Sequence, residues 1–238
     1  YHNIRLLRAG CGWRYKGAVH EYLAGGEGAP DPSKLPEALG VVLFQDRSAD
    51  DGKTGRRFQT DLRILLDAHA RDPTEPRTCL YLAQTHECLG ERAAAYAAYG
   101  RRAANLRGFY EERFIALLRQ GRLALELGYD WKVARDHFLE AGEVCARAEP
   151  FVELAKLYRG RQQTVLAYGF AKTACALAQP DMALFVDQHL YDYERWHLLG
   201  ILAFYLQDLE AGARACRIAG RPIDRKNQTF YDTLLKHA

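Results

Sequence analysis

From Arg56 onward, helix-forming runs alternate with short breaks, and small residues return at matching places inside those runs. Phe58, Leu62, Leu65, Leu66 and His69 recur at spacings of three and four, which puts them on one helical face. Pro73 and Pro76 end that helix and start the next. Further helices are expected over 77–89, 92–104, 111–127, 131–146, 150–159, 164–177, 193–206 and 209–219. The breaks fall at Gly90, Gly108, Gly128, Gly160 and Pro180. Helix, short turn, helix, repeated, forces antiparallel hairpins to stack.

The runs also match one another in detail. Leu82, Ala83, Gly90, Ala95 and Tyr99 form one set, and Gly121, Ala124, Gly128, Ala134, Phe138 and Ala141 a second. Leu154, Ala155, Tyr158, Ala167 and Ala174 form a third, and Leu199, Gly200, Gly212 and Ala219 a fourth. Helix axes that cross at about 8–10 Å need a small side chain at the contact. An aromatic fills the space one turn away. This pattern resembles the tetratricopeptide repeat, a helical hairpin of about 34 residues. The first small sites fall at 83, 121, 155 and 200, so the array is irregular, and a longer excursion over 179–192 precedes its last unit. The expected fold is mostly α: stacked antiparallel helical hairpins in a tetratricopeptide-like α-solenoid.

The first residues differ. Residues 4–8 read as a short strand, Gly10-Cys11-Gly12 as a turn, and 17–23 as a second β-like or irregular piece. Two short strands cannot make a stable sheet alone, so they are expected to be the edge of a larger domain, docked on the helical region. Residues 24–36 are rich in Gly and Pro and read as a linker, and 41–44 as another strand. The expected division is 1–45, a β-containing end of a domain with its linker, and 46–238, the helical repeat. The chain begins at Tyr1, and its only methionine is Met182. It is therefore expected to be a piece of a longer protein.

The stretch 4–23 resembles the end of the catalytic domain in bacterial family 2 glycosyltransferases. Arg5, Leu6, Arg8, Trp13, Gly17, Val19, His20 and Glu21 carry the likeness, while Leu7 stands where Phe is commoner. The stretches 46–90, 99–117 and 184–205 resemble the tetratricopeptide extension of some of those enzymes. The resemblance implies a GT-A-type catalytic domain that uses a nucleotide-sugar, usually with inversion. It implies a divalent metal, Mg or Mn, at an Asp-x-Asp motif upstream of Tyr1. His20 and Glu21 would then be catalytic residues at the interface with that domain, and Trp13, Arg5 and Arg8 would face substrate. The helices would position a glycan or protein acceptor, or a protein partner in their groove. This chain alone would be inactive. Asp50-Asp51 lies after the closure of that fold and is not assigned as the metal motif.

Other classes are disfavoured by the residues themselves. Hydrophobic residues at 48% and charged residues at 26% permit a real core, and a net charge of +3 is too small to argue for nucleic acid. No apolar run approaches the roughly 20 residues of a membrane span. Gly52-Lys53-Thr54 lacks the upstream glycine of a phosphate loop. Asp187, His189, Asp192, Glu194 and His197 resemble a metal cluster by composition, but no histidine pair has ligand spacing, so helix packing is the expected role. Arg56-Arg57, Arg101-Arg102 and Arg107 are expected on solvated faces opposite Asp61 and Glu111-Glu112. The six scattered cysteines read as reduced thiols of a cytoplasmic protein. The alternative to a glycosyltransferase region is a free-standing module that binds a peptide.

Overall fold

Helical hairpins dominate the computed structural model, which describes residues 10, 12–26, 52–180 and 184–237. The strands expected over 4–8 and 41–44, the division at 45/46 and Asp50-Asp51 lie outside those residues. The chain is mostly α and tetratricopeptide-like. It comprises two compact units, Tyr1–Arg102 and Ala103–Ala238.

In the first unit, β1 (Arg14–Lys16) pairs antiparallel with β2 (Tyr22–Ala24), with Tyr15 opposite Leu23. Gly26 N donates to Gly12 O at 3.0 Å and closes the open end. The stretch 17–23, read as β-like or irregular, is irregular up to Glu21 and then enters β2. Gly17 and His20 have φ of 116° and 50°, which reverse the chain there. Helices α1 (Lys53–Arg71), α2 (Pro76–Cys88) and α3 (Arg92–Ala104) come next. Pro76 occupies the first turn of α2, where its missing N–H is harmless, and the Glu75 carboxylate caps Thr78 N. Ala83 and Ala95 are fully buried, and Tyr99 hydroxyl donates to Glu87 at 2.7 Å, tying α3 to α2.

The second unit runs α4 (Tyr110–Glu126), α5 (Trp131–Val144), α6 (Ala148–Gly160) and α7 (Thr164–Ala176). A π-helical turn, Leu190–Glu194, leads into α8 (Arg195–Tyr205), α9 (Leu209–Ala219) and α10 (Pro222–Leu235). Each helix packs on the next, and α8 also touches α6 and α10. The small residues act as expected. A Cβ on Gly121 would lie 2.3 Å from a Phe138 ring carbon, and one on Gly212 would lie 2.2 Å from the Tyr231 ring. Neither approach tolerates a side chain.

Four hairpin turns close in the same way. The N–H groups of Glu91, Tyr129, Gln163 and Asp208 donate back to His86, Ala124, Tyr158 and Ala203 at 2.9–3.1 Å. That bond requires a left-handed residue just before the donor. Gly90 and Gly128 supply it in two turns; Gln162 and Gln207, at φ 60° and 56°, supply it in the others. The break expected at Gly160 is thus made two residues later.

Buried charge secures the end of α7 and the residues just before the π turn. Arg147, with no exposed surface, pairs with Glu149 and donates to the carbonyls of Leu184 and Phe185 at 3.0 and 3.1 Å. Its guanidinium lies 4.4 Å from the Phe114 ring centroid. Tyr191 hydroxyl donates to Glu149 and accepts from Ala148 N, each at 2.9 Å. Glu111 accepts from Leu184 N at 3.0 Å. Arg195 Nη1 binds the last carbonyls of α7, Ala174 at 3.1 Å and Leu177 at 2.5 Å. The solvated faces expected for Arg101-Arg102 and Glu111-Glu112 hold only in part, because Arg102, Glu111 and Glu112 are buried.

Candidate functional site

His20 sits at the end of the β1–β2 turn, where the hairpin meets α2. Its ring stacks on Tyr81, centroids 4.4 Å apart and planes 11° from parallel. Arg77 donates to His20 O at 3.3 Å and lies 4.6 and 4.9 Å from the Tyr22 and Tyr81 ring centroids. The result is a ladder of Tyr22, Arg77, Tyr81 and His20. Loss of solvation on the covered side of His20 lowers its pKa; Asp61 opposes the shift and the Arg57 and Arg77 cations add to it. The ring is therefore kept neutral near pH 7.

A shallow cleft of about 340 Å³ adjoins this ladder, lined by Ala18, Val19, His20, Glu21, Arg57, Asp61 and Ile64. His20 and Glu21 thus line one surface. Trp13 is half-buried just before β1 and does not line that cleft. Arg5 and Arg8 lie outside the described residues. Arg77, Tyr81 and Tyr22 escaped the sequence reading. Their signal was the arginine–tyrosine spacing of four in α2, which puts a cation beside a ring.

A second surface lies in the other unit, on the side formed by α4, α6, α8 and α10. Arg122 of α4 meets Glu153 of α6 at 2.6 Å, and Lys156 of α6 meets Glu194 at 2.6 Å. Between α8 and α10, His197 Nδ1 lies 2.6 Å from Asp224 Oδ1, and the Phe204 and Phe230 rings lie 5.6 Å apart. Arg221 donates to His189 Nε2 at 2.8 Å and covers Tyr193 at 3.5 Å, while Tyr193 stacks on His197 at 5.2 Å. Asp187 caps Leu190 N, and Asp192 accepts from Gln188. The side chains that resembled a metal cluster by composition therefore turn to separate partners. Among the described residues, no three His, Cys, Asp or Glu side chains converge. Phe204, Tyr205 and Phe230 stay 38%, 65% and 51% exposed at one end of this side.

No family model matches the chain, and no curated protein matches it. Solved structures do. The crystal structure of MamA aligns with a TM-score of 0.51 at 14% identity, over 82% of this chain and 100% of MamA. The C-terminal part of a TPR repeat-containing protein from Cytophaga hutchinsonii aligns at 0.54 and 11% identity, over 78% of this chain and 69% of that one. The APC/C hetero-tetramer Cut9–Hcn1 aligns at 0.50 and 15%, over 78% of this chain and 35% of its own. At these identities the likeness is one of fold, and that fold is the tetratricopeptide-like helical repeat. Among the described residues, no helix is long and apolar enough to cross a membrane.

Proposed function

We propose that this chain is a protein-interaction module, which binds a peptide segment of a partner on the α4–α6–α8–α10 side of its second unit. The observation that supports this most is the side-chain set there. Ion pairs and a histidine–carboxylate contact step along it, and an exposed aromatic group closes one end. Stacked helical repeats offer extended surfaces of this kind. Phe204, Tyr205 and Phe230 serve as anchors, since large aromatic side chains carry much of the energy of interfaces. The test is affinity capture from the source cells with wild type, the pair Phe204→Ser and Phe230→Ser, and Val165→Ser on α7. The expected result is a partner set lost with the first variant and kept with the second. Equal capture by all three sinks the proposal.

A second reading is favoured by the N-terminal hairpin, which a helical adaptor has no need of. On it, the chain is the tetratricopeptide-like extension of a family 2 glycosyltransferase in the cytoplasm. His20 and Glu21 act at the interface with the catalytic part, and Trp13, Arg5 and Arg8 face substrate. The nucleotide-sugar and a divalent metal belong to that catalytic part, and the helices place its glycan or protein acceptor. The 238-residue chain is then expected to release no sugar from a nucleotide-sugar. Turnover by the purified chain contradicts this reading.

A further inference from the structure

A cleft of about 350 Å³ separates the β1–β2 turn from the corner between α1 and α2. Its size falls at the lower end of small-molecule pockets, roughly 300–1,000 Å³. Ala18 and Val19 of the hairpin and Leu65 and Ala68 of α1 give it apolar walls. Lys16, Arg71, Arg77, Asp72 and Glu75 supply its formal charges, with Tyr22, Tyr81 and Thr78 beside them.

The two signs are not equally available. Asp72 Oδ1 accepts from both N and Oγ1 of Thr74, at 3.0 and 2.8 Å. Glu75 is drawn to Thr78 N as the cap of α2. Both carboxylates are thus held against the corner between the helices. Arg71 uses only Nε, bonded to Asp67 O at 3.2 Å, so its two terminal nitrogens have no partner among the described residues. Lys16 has no carboxylate partner among them either. Arg77 is fixed between two tyrosine rings. Two uncommitted cations and one positioned cation therefore line a partly apolar slot beside two carboxylates already held by the backbone.

We propose that this cleft binds a small organic oxyanion, a carboxylate or phosphate group carried on a short apolar body. Lys16 and Arg71 take the oxyanion by charge-assisted hydrogen bonds. Leu65, Ala68 and Val19 cover the body. The rings of Tyr22 and Tyr81 set the depth of the slot through Arg77.

Calorimetric titration of the whole chain tests this, with phenyl phosphate, benzoate, inorganic phosphate and benzyl alcohol as probes. One of the two aromatic anions is expected to saturate a single site, and which of them binds tighter identifies the head group. Inorganic phosphate should bind about tenfold more weakly, for want of the apolar contact. Benzyl alcohol should give no saturable heat. Lys16→Gln and Arg71→Gln should each weaken binding by about fivefold or more, with thermal melting unchanged because both side chains are at the surface of the slot. Arg159→Gln, on α6, should leave affinity as it was. The proposal is overturned by absence of saturable heat from both aromatic anions up to about 10 mM. It is equally overturned by binding that neither cleft variant weakens.

Discussion

Gly121 and Gly212 are where one methyl group has most to displace. Each faces an aromatic ring too close for any Cβ, and the rings of Phe138 and Tyr231 have almost no exposed surface into which to retreat. Gly212→Ala is expected to cost about 1–3 kcal/mol by overpacking, read from denaturant midpoints at unchanged slope. Buried thiols give a second expectation. Burial pushes Cys175 up to about 12, and Cys145 and Cys216 up to about 11. The unfolded thiols ionise from pH 9.0 while the folded ones keep their protons. Stability is therefore complete below pH 9 and falls as pH rises from there toward 12. Cys175→Ala should flatten that alkaline decline, and an unchanged profile would contradict the assignment. The close-approach glycines were legible in the sequence, because their role depends on neighbours in the same hairpin or the next. The burial of Arg102, Glu111 and Glu112 was not. A charged side chain on a helix looks solvated until its distant partner is known, and Glu111 takes its proton donor from Leu184, far along the chain.

Elements obey the same division between near and far. Helix α3 occupies the span its pattern required, since Ala95 and Tyr99 mark its face directly. Helix α10 left no such pattern. Only Asp224 and Tyr231 are buried in it, while Ile223, Phe230 and Leu235 face outward, so no apolar stripe announces it. Yet Tyr231 donates to Gly200 O at 2.8 Å and fills the space over Gly212. Ending the chain after Gly220 is expected to remove more helical signal than the 14 residues of α10 carry, because α9 loses its cover. Far-ultraviolet circular dichroism would decide it. The π turn was equally hidden, as a wider helical turn has no composition of its own. Leu184 and Phe185, just before it, are held by Arg147. Arg147→Ala strands Glu149 in the interior and is expected to cost about 3–5 kcal/mol. Arg147→Met combined with Glu149→Leu should recover much of that loss in chemical denaturation, since the pair is removed together.

At the largest scale, a stack in which each helix of the second unit rests mainly on its neighbours was readable from small residues in register. Of the hairpin, β1 was not read as a strand and β2 fell inside a stretch read as β-like or irregular, because the pairing depends on left-handed turn residues at Gly17 and His20. The ladder that seats it on α2 was missed, since Arg77 and Tyr81 look like an ordinary exposed face. Nearest-neighbour stacking has an energetic signature. Gly121→Ala and Gly212→Ala lie on helices that are not neighbours in the stack, so their costs should add within about 0.5 kcal/mol. Gly212→Ala and Tyr231→Leu share one contact and should depart from additivity by more than that. Such a measurement compares four proteins and needs no ligand. The turns at Gln162 and Gln207 carry one further meaning, for engineering rather than for function. A side chain held left-handed costs about 1–2 kcal/mol, which glycine at the matching places in the earlier turns does not incur. Gln162→Gly with Gln207→Gly should raise the melting temperature by about 2–4 °C, net of the added freedom of the unfolded chain. The protein thus stands below the thermal ceiling of its own architecture, and the first two turns already spell out how to raise it.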